Sequence, residues 1–120
     1  MTSPGPAGTF RLEVPADPEY LSQLRVFAAA VARRLGVADD GWLDDLKLLI
    51  SEAATYALGI TTERLTLEIA PTATGFDFTL SPVPAFGQSG SVPDPYDVIT
   101  SLADIASHGD DRLVLALTRP

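Results

Sequence analysis

Glu52 and Tyr56 stand four residues apart in an otherwise largely apolar stretch, Leu43-Asp44-Asp45-Leu46-Lys47-Leu48-Leu49-Ile50-Ser51-Glu52-Ala53-Ala54-Thr55-Tyr56-Ala57-Leu58. On a helix, positions i and i+4 stack on one face, so a carboxylate and a phenol so spaced can address one ligand or each other. A carboxylate set among Ile50, Ala53 and Ala54 is expected to be paired, for instance by the Tyr56 hydroxyl, or functional. Arg25 is the second residue of interest. It is the only base in the first two-thirds of another apolar helical stretch, and the pattern points it away from the core. His108, the single histidine, is expected near a helix end, where a favourable dipole contact accounts for it. With no cysteine and no second histidine, no metal site is expected.

The elements that must position these residues are legible from periodicity. Around Glu52, Trp42, Leu43, Leu46, Leu49, Ile50, Ala53, Ala54 and Leu58 recur at spacings of three and four, which predicts a helix with one broad buried face. Asp39 or Asp40 can cap its start, and Gly59 stands where a left-handed C-terminal cap is wanted. Arg25 belongs to a helix opened by Asp17-Pro18-Glu19 and running to about Leu35, with Leu21, Leu24, Phe27, Ala28, Val31 and Leu35 inward and Gly36 as its stop. Thr9–Val14 alternates apolar and polar residues, as do Leu65, Leu67, Ile69 and then Phe76, Phe78, Leu80 across a turn at Pro71–Gly75. Asp94-Pro95-Tyr96-Asp97 repeats the cap logic. It predicts a third helix with Val98, Ile99, Leu102 and Ile105 inward, closing near Gly109. A last strand spans about Arg112 to Thr118.

The expected order is therefore β-α-α-β-β-α-β. It implies an α+β two-layer sandwich, three helices on one face of a mostly antiparallel sheet. Residues 1–8 read as a flexible tail and residues 9–120 as a single domain. The chain of 120 residues is long enough to bury a core unaided. Sixteen acids against eight bases give a formal net charge of −8, a field that repels phosphate backbones and argues against direct nucleic-acid binding. The same charge suits a basic protein surface, or solubility alone. The absence of a signal-peptide pattern, of a membrane-length apolar run and of cysteine leads to an expected cytoplasmic location with no membrane association.

Asp45-Leu46-Lys47 through Ser51-Glu52-Ala53, with Pro15-Ala16-Asp17-Pro18-Glu19-Tyr20 and Arg25 upstream, resembles the anti-sigma factor (serine-protein kinase) family of the GHKL, or histidine-kinase-like, ATPase superfamily. The resemblance covers nearly the whole chain and implies that superfamily's fold in reduced form. In the family a Ser-Glu-Ala-x-x-Asn-Ala box supplies a general-base Glu and an Mg²⁺-binding Asn. The resemblance places Glu52 at the general-base position and Tyr56 where the Asn belongs. It also implies an adenine-reading Asp after the third strand and a Gly-x-Gly turn before the next helix. The chain has Ser81-Pro82-Val83-Pro84 and Val92-Pro93-Asp94-Pro95 at those places, where prolines remove backbone donors and Asp94 repels phosphate.

The expectation that follows is a protein-binding regulatory module with a degenerate ATP site, binding a sigma factor or an antagonist protein. No nucleotide-binding residues or cofactor are expected, Glu52 is expected to be inactive, and Tyr56 is expected to fill the former pocket. The resemblance makes Arg25 a partner-contacting residue; on the residues alone, a solvated surface charge serves equally. The alternative is an active serine-protein kinase with a divergent site using ATP and Mg²⁺. Pairing as a homodimer, or as a pseudo-ATPase with an active homologue, belongs to the same set of expectations.

Overall fold

Alternating apolar residues become one side of an antiparallel sheet in the computed structural model of the protein, which describes residues 3–4, 8–58, 64–82, 105–109 and 112–120. The strands are β1 (Ser3–Pro4), β2 (Phe10–Pro15), β3 (Arg64–Pro71), β4 (Gly75–Ser81), β5 (Ile105–Gly109) and β6 (Arg112–Thr118). Their spatial order is β1-β2-β3-β4-β6-β5, and each neighbouring pair is antiparallel. Register aligns Leu12, Leu67 and Leu80 in one row and Ile69, Phe78 and Leu115 in another. Leu65, Leu67, Ile69, Phe76, Phe78, Leu80, Leu113, Leu115 and Leu117 are all buried, as the period of two requires.

Among the described residues, two helices cover that side. α1 (Leu21–Arg34) follows a single 3-10 turn over Pro18–Tyr20, whose cap Asp17 accepts a hydrogen bond from the Glu19 amide at 3.0 Å. Its end is a Schellman closure: Gly36 N–H donates to Arg33 O and Val37 N–H to Ala32 O, with Gly36 at φ +106°. α2 (Asp40–Leu58) starts on Asp39, which accepts from the Trp42 amide at 2.9 Å through its carboxylate. Leu24, Ala28, Val31 and Ala32 of α1 join Leu43, Leu46, Leu49, Ile50, Ala53, Ala54 and Ala57 of α2 in one cluster with the sheet's inner residues. Of the residues expected inward, Leu24, Ala28, Val31, Leu43, Leu46, Leu49, Ile50, Ala53 and Ala54 are buried. Leu21, Phe27, Leu35 and Trp42 are half-buried against the cluster. Ala57 joins the buried set, and the side chain of Leu58 lies outside the described residues.

On the outer side of the sheet the residues are more polar. Glu13 meets Arg64 Nε at 3.1 Å and Arg11 Nη2 at 3.7 Å, and accepts a 3.4 Å hydrogen bond from Thr66 Oγ1. Both arginines and Glu13 are about half exposed, so these ion pairs contribute little to stability.

The third helix needs correction. Ile105–Gly109 is a strand paired with β6, Ile105 opposite Ala116 and Gly109 opposite Arg112, so no helix runs to Gly109 and His108 lies in a strand. The proposed start at Asp94 and the segment Ser81–Pro93, beyond Pro82, fall outside the described residues. Ser3–Pro4, within the stretch read as a tail, pairs with Arg11 and Phe10.

Candidate functional site

The wide apolar face of α2 fixes the presentation of Glu52 and Tyr56. Ile50, Ala53, Ala54 and Ala57 are buried against the sheet, which leaves Glu52 and Tyr56 half-buried along one i, i+4 stripe. Glu52 therefore sits at the margin of the apolar face, not embedded in it as its sequence neighbours suggested. Tyr56 lays its ring against the core cluster. A phenol there is bulkier than an amide and a poorer ligand for Mg²⁺, which prefers carboxylate, carbonyl or water oxygens.

Tyr56→Ala removes a partly buried ring, and half of the full-burial penalty for an aromatic is about 1.5–2.5 kcal/mol. Chemical denaturation should record a loss of that size with an unchanged m-value. A loss under about 0.5 kcal/mol would mean that the ring packs on nothing important.

Arg25 does not point away into solvent. It is half-buried, and its Nη1 donates to Ser51 Oγ across the α1–α2 seam at 2.9 Å. The structure thus brings Arg25 to the residue beside Glu52. It does not bring Arg25 to Glu52, because successive helix residues project about 100° apart. Arg25 occupies the seam, while Glu52 and Tyr56 share a different side of α2.

A second constellation escaped sequence reasoning. Arg119 lies over the Phe76 ring, with its guanidinium carbon 4.7 Å from the ring centre, and donates from Nη1 to Leu35 O at 2.8 Å. Trp42 packs on Phe76 at a centroid distance of 5.8 Å and donates Nε1–H to Thr118 O at 2.9 Å. These contacts tie the end of α1, the start of α2 and the last strand together. They border an open recess of about 270 Å³ lined by Gly36, Val37, Ala38, Asp39, Arg119 and Pro120. No local pattern in the sequence marks it, since the pairing partners lie 84 and 76 positions away. Among the described residues, no group of three histidine or acidic side chains is placed to hold a metal ion. No helix there is long and apolar enough to cross a membrane.

No family model matches the chain. Individual proteins do. The chain is similar to serine-protein kinase RsbW of Bacillus cereus (strain Q1), 27% identical over 113 residues, which is 82% of this chain and 65% of that protein. It is 32% identical over 88 residues to serine-protein kinase RsbW of Bacillus subtilis (strain 168), covering 60% of this chain and 54% of that protein. With the namesake protein of Bacillus velezensis it shares 31% over 83 residues, 56% of this chain and 51% of the other. The chain therefore spans between 51% and 65% of the length of these relatives.

Proposed function

We propose, from this likeness to the serine-protein kinases RsbW, that the protein is a regulatory binding module of anti-sigma-factor type with a degenerate ATP site, on a reduced histidine-kinase-like ATPase fold. It sequesters a sigma factor or binds an antagonist protein. The observation that carries the proposal is the pair Glu52–Tyr56, both half-buried one turn apart on α2 with Tyr56 packed on the core. In this reading the acid takes the general-base position and the aromatic takes the place of the metal-binding amide. The antiparallel sheet and the α1–α2 layer support the fold assignment. Control then rests on abundance or on a competing partner, since a phosphorylation step through this site lacks its metal ligand. A second reading, an ATP-dependent serine-protein kinase with a divergent site, draws on the name the relatives carry and on Glu52.

Millimolar Mg-ATP separates the two. The degenerate site should leave the melting temperature unchanged, whereas ligand at roughly a hundredfold excess over Kd would add about 2.7 kcal/mol and move it by several degrees. Tyr56→Asn alone should also show no shift. A Mg²⁺-dependent rise in the wild-type protein would establish the kinase reading in its place.

A further inference from the structure

We infer that the mouth between the sheet and the helical layer, at the end of α1, is a guanidinium-binding site. Its built-in occupant is Arg119, and an arginine side chain of a basic partner takes its place. The site uses neither Glu52, Tyr56 nor Arg25 and is independent of the anti-sigma proposal.

The pattern of β6 carries a charge to that mouth. Leu113, Leu115 and Leu117 are buried on the inner side of the sheet. Arg119 is the next residue in the period of two, and its amide donates to Thr74 O at 2.9 Å. A guanidinium therefore arrives where a further aliphatic side chain would close the core. Two groups receive it. The Phe76 ring centre lies 4.7 Å from the guanidinium carbon, within cation–π range, and Trp42 flanks the same phenyl. Leu35 O, at the carbonyl end of α1 where the helix dipole favours a cation, accepts from Nη1 at 2.8 Å. A planar guanidinium can lie on a ring and donate sideways to a carbonyl at once, which a lysine ammonium cannot match.

The site is also open to a competitor. Arg119 is exposed, no carboxylate pairs with it among the described residues, and the adjoining recess of about 270 Å³ has Asp39 on its wall. Asp39 spends Oδ1 on the Trp42 amide, and a carboxylate has lone pairs to spare for an incoming cation. From Arg33 to Asp45 the chain carries four acids, Asp39, Asp40, Asp44 and Asp45, against Arg33 and Arg34. With Arg119 displaced, the surroundings are thus net negative, in a chain of net charge −8, which selects a basic partner. Arg119 acts as a tethered competitor whose effective concentration sets the threshold the partner must exceed.

Arg119→Ala vacates the site. Titrating this variant with methylguanidinium should move the amide resonances of Gly36 and Val37 saturably at millimolar concentration, and the wild-type protein should need about tenfold more. Urea and methylammonium, one uncharged and the other not planar, should cause no comparable change. A short peptide with one Arg between small residues should bind Arg119→Ala about tenfold or more tighter than wild type, and should lose that advantage when Lys or citrulline replaces its Arg. Circular dichroism checks folding, and Arg119→Gln, which keeps much of the stem, replaces the alanine variant if that unfolds. Equal responses of variant and wild type, or a variant response that urea matches, overturn the site. Saturation by methylguanidinium without preference for the Arg peptide overturns the partner.

Discussion

Gly75→Ala should cost about 3 kcal/mol or more and lower the melting temperature by roughly 10 °C or more. A Cβ on Gly75 would run into the Leu117 carbonyl oxygen and stand only 2.8 Å from Thr118 Cα and 2.9 Å from the Leu117 carbonyl carbon. All of these atoms are backbone of the paired strand β6, with Gly75 opposite Thr118 in the register. A side chain could rotate away; a strand held by its ladder must move as a unit. The same glycine closes the β3–β4 turn, taking a hydrogen bond from the Thr72 amide at 2.8 Å and donating its own amide to Thr72 Oγ1 at 3.0 Å. Gly41→Ala is the control. Its new Cβ would meet only the Asp39 carboxylate, at 3.3 Å, and alanine suits a helix better, so its effect should stay within about 1 kcal/mol. Equal melting curves for wild type and Gly75→Ala would show that β4 and β6 approach less closely at this point.

Arg25→Glu should abolish partner capture while leaving the fold intact. If a partner sets a carboxylate against Arg25, reversal puts like charges face to face, and even truncation of such a pair costs about 2–5 kcal/mol. The lower bound is already close to a 30-fold loss of affinity. Ser51 remains able to donate to a carboxylate, so the cost to the fold should stay near the worth of one hydrogen bond, about 1 kcal/mol. Capture of co-expressed sigma factors by the two proteins, beside a thermal melt of each, is the measurement. Equal capture would remove Arg25 from the interface.

The strands nearest the core were the most legible elements. Leu65-Thr66-Leu67-Glu68-Ile69 and Leu113-Val114-Leu115-Ala116-Leu117 place large aliphatic residues at a strict period of two, which no helix can bury together. The helix starts were partly legible: Asp17 caps the 3-10 turn that precedes α1 and not α1 itself, and of Asp39 and Asp40 it is Asp39 that caps α2. Ile105–Gly109 was misread because Ile105 completes a helical spacing begun at Val98. The rest of the segment, Ala106-Ser107-His108-Gly109, has no β-branched or aromatic residue to mark a strand. Its state is set by pairing with β6, a tertiary interaction that overrides local preference.

The candidate site was legible in its residues and not in their surroundings. The period of α2 correctly put Glu52 and Tyr56 on one stripe, yet only packing against the sheet shows that the stripe lies at the edge of the apolar face. Arg25 sits at a border position on its helix, where the sequence cannot say whether water or a neighbouring helix comes next. The Ser51 hydroxyl resolves it. Arg119 and Trp42 were illegible as partners, since both reach backbone carbonyls, which any residue supplies.

The place of Trp42 also equips the molecule with an optical gauge. It is the chain's sole tryptophan, half-buried at the first turn of α2, with its ring against Phe76 and its N–H on Thr118 O. Its emission therefore has one origin, and both the polarity around the indole and the hydrogen bond it makes change if the helical layer lifts from the sheet. Steady-state fluorescence can follow that docking without a label. Because the indole stands at one end of α2 and Glu52 and Tyr56 towards the other, a spectral response to anything bound near that pair would measure how rigidly the helix conveys a disturbance along its length.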